Sequence, residues 1–96
     1  MKNLQNNDLI GKVVLSKAGR DKNNLYVIVR QMNEDYVLLA NGNTKSINMP
    51  KKKKLKHLSI LEDTDDEIIS SIKSCDKGTD LKIKRFLKLK GIVKEG

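Results

Sequence analysis

At 96 residues the chain is sized for one domain, since independent domains cluster near about 100–150 residues. Apolar residues make up 38% and aromatics only 3%, so the core must be built from Val, Ile and Leu, and a core this small gains from a bound partner. The net charge of +8 sits wholly in residues 1–61, which hold 12 basic and 4 acidic side chains, whereas residues 62–96 hold 8 of each; such a one-sided excess is the footprint of a surface for a polyanion. A single cysteine, Cys75, excludes an intramolecular disulfide and fits a reducing compartment. No apolar run approaches the roughly 18–20 residues that span a bilayer, and residues 1–8 lack the apolar core of a signal segment. These features predict a cytoplasmic protein with no membrane contact.

Residues 1–8 are polar and Asn-rich and read as a flexible lead-in. From Leu9 the pattern is that of strands. Val13, Val14 and Leu15 lie between Gly11 and Lys17-Ala18-Gly19, and a β-branched run this short favours strand over helix. Gly19 to Asn24 follow as a polar loop, in which Gly19 and Asn23 or Asn24 can adopt the positive φ of a tight connection. Residues 26–32 form a second strand, Asn33-Glu34-Asp35 a turn, and residues 36–40 a third strand. Asn41-Gly42-Asn43 carries the strongest hairpin signal in the chain and leads to a fourth strand over residues 44–48, which Pro50 stops. In the second half of residues 51–61, Leu55, Leu58 and Ile60 alternate loosely with polar residues and can return a fifth strand.

After Leu61 the composition shifts. Asp63 or Thr64 is placed to cap a helix with Asp65 to Glu67 in its first turn, and Ile68, Ile69, Ile72 and Cys75 fall at helical spacing. Gly78 breaks that run. Thr79 or Asp80 caps a second helix that extends to about Lys90, where Gly91 ends it. The acidic first helix and the basic second one can pair as an antiparallel hairpin. The predicted fold is thus mainly β: a small SH3-like barrel of four to five antiparallel strands over residues 9–61, followed by a helical tail over residues 62–96, α+β overall.

The stretch Leu9 to Lys22, followed by Tyr26-Val27-Ile28-Val29, resembles the KOW motif, a strand–loop–strand unit of ribosomal proteins and transcription elongation factors. Gly19 stands where that motif has its anchoring glycine, and Asn23-Asn24 where a glycine is common. The segment Pro50-Lys51-Lys52-Lys53-Lys54-Leu55-Lys56-His57-Leu58 is similar to the basic block that follows the barrel in small bacterial KOW proteins. Those proteins in turn resemble an archaeal and eukaryotic large-subunit ribosomal protein family with one amino-terminal KOW unit. The resemblance covers about residues 9–61. It implies a barrel whose loop reads RNA, with ribosomal RNA of the large subunit as the expected partner.

The residues themselves point the same way. Gly19 lets the backbone approach a phosphate, Arg20 can hold phosphate oxygens bidentately or stack on a base, and Lys17 and Lys22 add charge beside it. The bland reading of this loop is a solvated turn in which Asp21 pairs with Lys17 or Lys22. The run Lys51, Lys52, Lys53 and Lys54, with Lys56 and His57, reads as an extended basic segment that follows a phosphate backbone and supplies affinity rather than discrimination. Tyr26, Tyr36 and Phe86 are the only aromatics, and their scarcity argues against single-strand binding by stacking and for a reader of folded RNA.

Catalysis has little support. His57 has no second His or nearby Cys to complete a metal site. Cys75 is expected as a small buried hydrophobe on the first helix. The acidic cluster Glu62 to Glu67 lacks the glycine and spacing of a calcium loop. Neither an enzyme, nor a cofactor, nor a small-molecule substrate is expected. A second reading makes the barrel a protein-interaction module that docks on a ribosome- or polymerase-associated partner through an exposed apolar face of Ile68, Ile69, Ile72, Phe86 and Leu89.

Overall fold

The computed structural model describes residues 9–95, with side chains through residue 90; the expected lead-in over residues 1–8 lies outside the described residues. Five strands and two helices follow in chain order: β1 Lys12–Ser16, β2 Leu25–Gln31, β3 Tyr36–Ala40, β4 Lys51–Lys54, β5 Leu58–Asp63, α1 Asp66–Ser74 and α2 Thr79–Glu95. The strands form one antiparallel sheet in the order β4-β3-β2-β1-β5. Consecutive strands β4 and β5 therefore lie at opposite edges, yet a single 3₁₀ turn, Leu55–His57, joins them. Four Cα steps reach about 14 Å, whereas the edges of a flat five-stranded sheet stand about 19 Å apart. The sheet must curl until its edges meet, which produces the expected SH3-like barrel.

Irregular pairing helps it curl. Register shifts between Val13 and Val14 against β5, and between Ile28 and Arg30 against β3, mark the bulges that raise local twist and bend a strand. Alternation along the strands then makes two cores. Val14, Tyr26, Ile28, Val37, Leu39 and Leu58 fill the barrel interior. Val13, Val27, Val29 and Ala40 face outward, where Ile68, Ile72, Ile83 and Leu87 of the helices cover them. β2 is buried on both sides, so Tyr26 to Val29 read as a continuous apolar run rather than an alternating one.

The helices are thus part of the same core. Thr64 donates its hydroxyl hydrogen to Gly11 O at 2.7 Å, and Asp80 Oδ1 accepts from Ile47 N at 2.8 Å. Gly42 is required where α2 crosses the β3 hairpin: its φ is +77°, and a Cβ there would collide with the backbone of Asp80 and Lys84. Among the described residues, no helix is long and apolar enough to cross a membrane.

Several local expectations are corrected. The fourth strand is the lysine run itself, because residues 44–48 contribute only an isolated Ser46–Met49 bridge. Asp65, not Asp63 or Thr64, caps α1, accepting from Ile68 N at 3.1 Å. The stop is Cys75 rather than Gly78. Cys75 takes a left-handed φ of 55°, and the bonds Asp76 N to Ser71 O and Cys75 N to Ile72 O complete a Schellman motif. That turn swings the thiol off the apolar face, so Cys75 is exposed, not buried. Thr79, expected as a cap, donates instead to Ser71 O at 3.0 Å. Gly91 does not end α2, which continues to Glu95.

Candidate nucleic-acid interface

The β1–β2 loop is built around a buried charge. Gly19 (φ +84°) and Asn23 (φ +75°) supply its two left-handed positions, so Asn23 fills a role that glycine often takes. Backbone bonds from Lys22 N to Gly19 O, Asn24 N to Asp21 O and Asn23 N to Ser16 O fix the turn. Inside it lies Asp21. Its Oδ1 accepts from the Ser16 hydroxyl and from Lys53 Nζ, both at 2.9 Å, while Lys51 Nζ stands 3.7 Å from Oδ2. Lys53 Nζ also donates to Ala18 O at 2.9 Å.

Burial alone would raise the Asp21 pKa. The Lys53 and Ser16 hydrogen bonds, with the charges of Lys53 and Lys51, outweigh it and hold the group at about 2. Beneath the loop, burial pushes the Tyr26 phenol up, and the Asp21 charge adds to that rise. The carboxylate thus pairs with the lysine strand, not with Lys17 or Lys22 of its own loop.

The lysine run divides by strand alternation. Lys51 and Lys53 lie opposite Leu39 and Val37, on the barrel-interior side, and face Asp21. Lys52 and Lys54 lie opposite Leu38 and Tyr36 on the other side, with their Nζ atoms 4.7 and 5.7 Å from the Tyr36 ring centroid. Lys56 and His57 occupy the 3₁₀ turn and are exposed. Lys17 N donates to His57 O at 2.9 Å, which sets the loop beside that turn.

Lys17, Arg20, Lys22, Lys56 and His57 therefore surround one end of the barrel, exposed, and none has an ion-pair partner among the described residues. A Cβ at Gly19 would come within 3.3 Å of Lys53 Nζ. Elsewhere four acidic residues pair with other cations: Lys12 pairs with Asp63, Lys82 with Glu67 and Asp76, and Lys90 with Glu62. Sequence reasoning named the cations but missed the organiser. Asp21 was visible only as one acid among lysines, and the signal that singles it out is alternation within the run, once the run is recognised as a strand. Comparison with protein-family models and with curated proteins finds no match to this chain.

Proposed function

We propose that this protein binds structured RNA in the cytoplasm, with ribosomal RNA of the large subunit as the favoured target, through the barrel end formed by the β1–β2 loop and the 3₁₀ turn. The observation that carries this reading is the Asp21–Lys53–Ser16 clamp. It holds the loop against β4, and it sets Lys17, Arg20 and Lys22 beside Lys56 and His57 without an acidic partner. A rigid loop loses little conformational entropy on binding, so more of the phosphate attraction appears as affinity. Arg20 holds phosphate oxygens or stacks on a base, and the lysines follow the backbone. The choice of ribosomal RNA rests on the KOW resemblance.

The apolar face expected for docking is largely covered by the barrel. Ile68 and Ile72 are buried in the core, Ile69 and Phe86 are half-buried, and Leu89 alone of the five is well exposed, at 64%. Co-sedimentation with ribosomes at low and high salt tests the proposal. Recovery with the large subunit at low salt and release at high salt is expected; absence from every ribosomal fraction at low salt would sink the ribosomal assignment.

A further inference from the structure

The lysine strand has a second face. Lys52 is exposed and Lys54 half-buried, both flank the Tyr36 ring, and no ion pair among the described residues engages either. Of the two tyrosines only this one is reachable, since Tyr26 is 3% exposed within the barrel and Tyr36 is half-buried. Its ring borders a surface pocket with Glu34, Asp35, Lys54, Leu55 and Lys56. Exposed Arg30 lies one strand further along the same face, opposite Leu38, whose partner on β4 is Lys52. A reachable aromatic ring thus sits between two lysines, with Arg30 further along the same face, on the side of β4 that faces away from Asp21.

We propose that Tyr36 is a stacking platform for one unpaired nucleotide of the bound RNA, with the flanking phosphates held by Lys52 and Lys54. This rests on the RNA-binding reading and adds to it a contact separate from the β1–β2 loop. Lysine–ring contacts at exposed sites are weak, so both amines can leave the ring for a phosphate and uncover a face on which any base stacks. One ring takes one base, which fits a bulged or looped nucleotide of a folded RNA rather than a single-stranded tract. Glu34 and Asp35, both exposed at the pocket, accept hydrogen bonds but donate none. They can accept from the amino or imide N–H groups on the edge of a stacked base.

The test uses the full chain and two labelled RNA hairpins with the same stem, one fully paired and one carrying a single bulged cytidine, with affinity read by fluorescence anisotropy at fixed salt. The wild type is expected to bind the bulged hairpin about tenfold more tightly. Tyr36→Ala abolishes that preference, whereas Tyr36→Phe keeps it, which separates stacking from a folding defect. Replacing the bulged cytidine with uridine keeps the preference, because every base has a face to stack. The triple variant Lys17→Ala, Arg20→Ala, Lys22→Ala weakens both hairpins and preserves their ratio. If both hairpins bind the wild type equally, or if the preference survives Tyr36→Ala, the platform is overturned while RNA binding stands. If neither hairpin binds, the RNA-binding reading falls and the platform falls with it.

Discussion

Replacing Asp21 with Asn probes the group on which the loop is built. The side chain is 11% exposed and Lys53, its partner, 12%, so solvent screens the pair little. The carboxyl ionises at about 2 in the folded protein against 3.8 in the unfolded chain, and each unit of difference corresponds to about 1.4 kcal/mol. Because the folded value is the lower one, the stabilisation is fully present above about pH 4 and is lost as pH falls through 2. The amide of Asn still accepts from Ser16 and Lys53 but leaves the Lys53 ammonium nearly buried without a counter-charge. At pH 7 the variant should therefore lose about 2–3 kcal/mol, a large share of the stability of so small a domain. Urea denaturation followed by circular dichroism, at pH 7 and in steps down to pH 2, measures the gap between the two proteins. It should narrow between pH 4 and pH 2. Equal stability at pH 7, or a gap that does not change with pH, would refute the assignment of Asp21 as an internal counterion.

Three further outcomes are expected. Lys53→Ala should destabilise the protein yet leave the salt dependence of RNA binding unchanged, while the double variant Lys52→Ala, Lys54→Ala should do the reverse and flatten the log–log salt slope by about 1–2, as loss of two phosphate contacts requires; titrations at several salt concentrations separate the two. Cys75→Gly should stabilise by about 0.5–1 kcal/mol in urea denaturation, because the left-handed stop of α1 then carries no side chain. Ile83→Ala, at a fully buried position that joins α2 to the sheet, should cost about 2–5 kcal/mol, with far-ultraviolet and near-ultraviolet signals still unfolding together because helices and barrel share one core.

Much of the barrel was legible because its strands obey local rules. β3 was bounded correctly by its flanking turns, and β1 and β2 shifted by only a residue or so, since dense Val and Ile between Gly and Asn signals leave few alternatives. β4 was missed for a physical reason. Four lysines have no apolar periodicity, and what makes them a strand is pairing with β3 and the ion pairs of Lys51 and Lys53 with Asp21, both distant in sequence. The stop of α1 was misplaced because Cys75, not glycine, accepts the left-handed conformation there, held by the backbone bonds of the Schellman turn. For the site, charge counting located the loop and the lysine run. It did not foresee that two of the four lysines would be occupied internally, because pairing depends on which face of β4 each one takes.

The most direct test of the central claim is crosslinking in cells, followed by sequencing of the bound nucleic acid and mapping of the crosslinked residues. Recovery of folded RNA is expected, ribosomal RNA foremost on the KOW resemblance, with crosslinks at Lys17, Arg20, Lys22, Lys56 and His57 and at Tyr36, Lys52 and Lys54, and none at Lys53. Recovery of DNA, of no nucleic acid, or of RNA crosslinked to neither the barrel end nor the Tyr36 face would contradict the RNA-binding proposal.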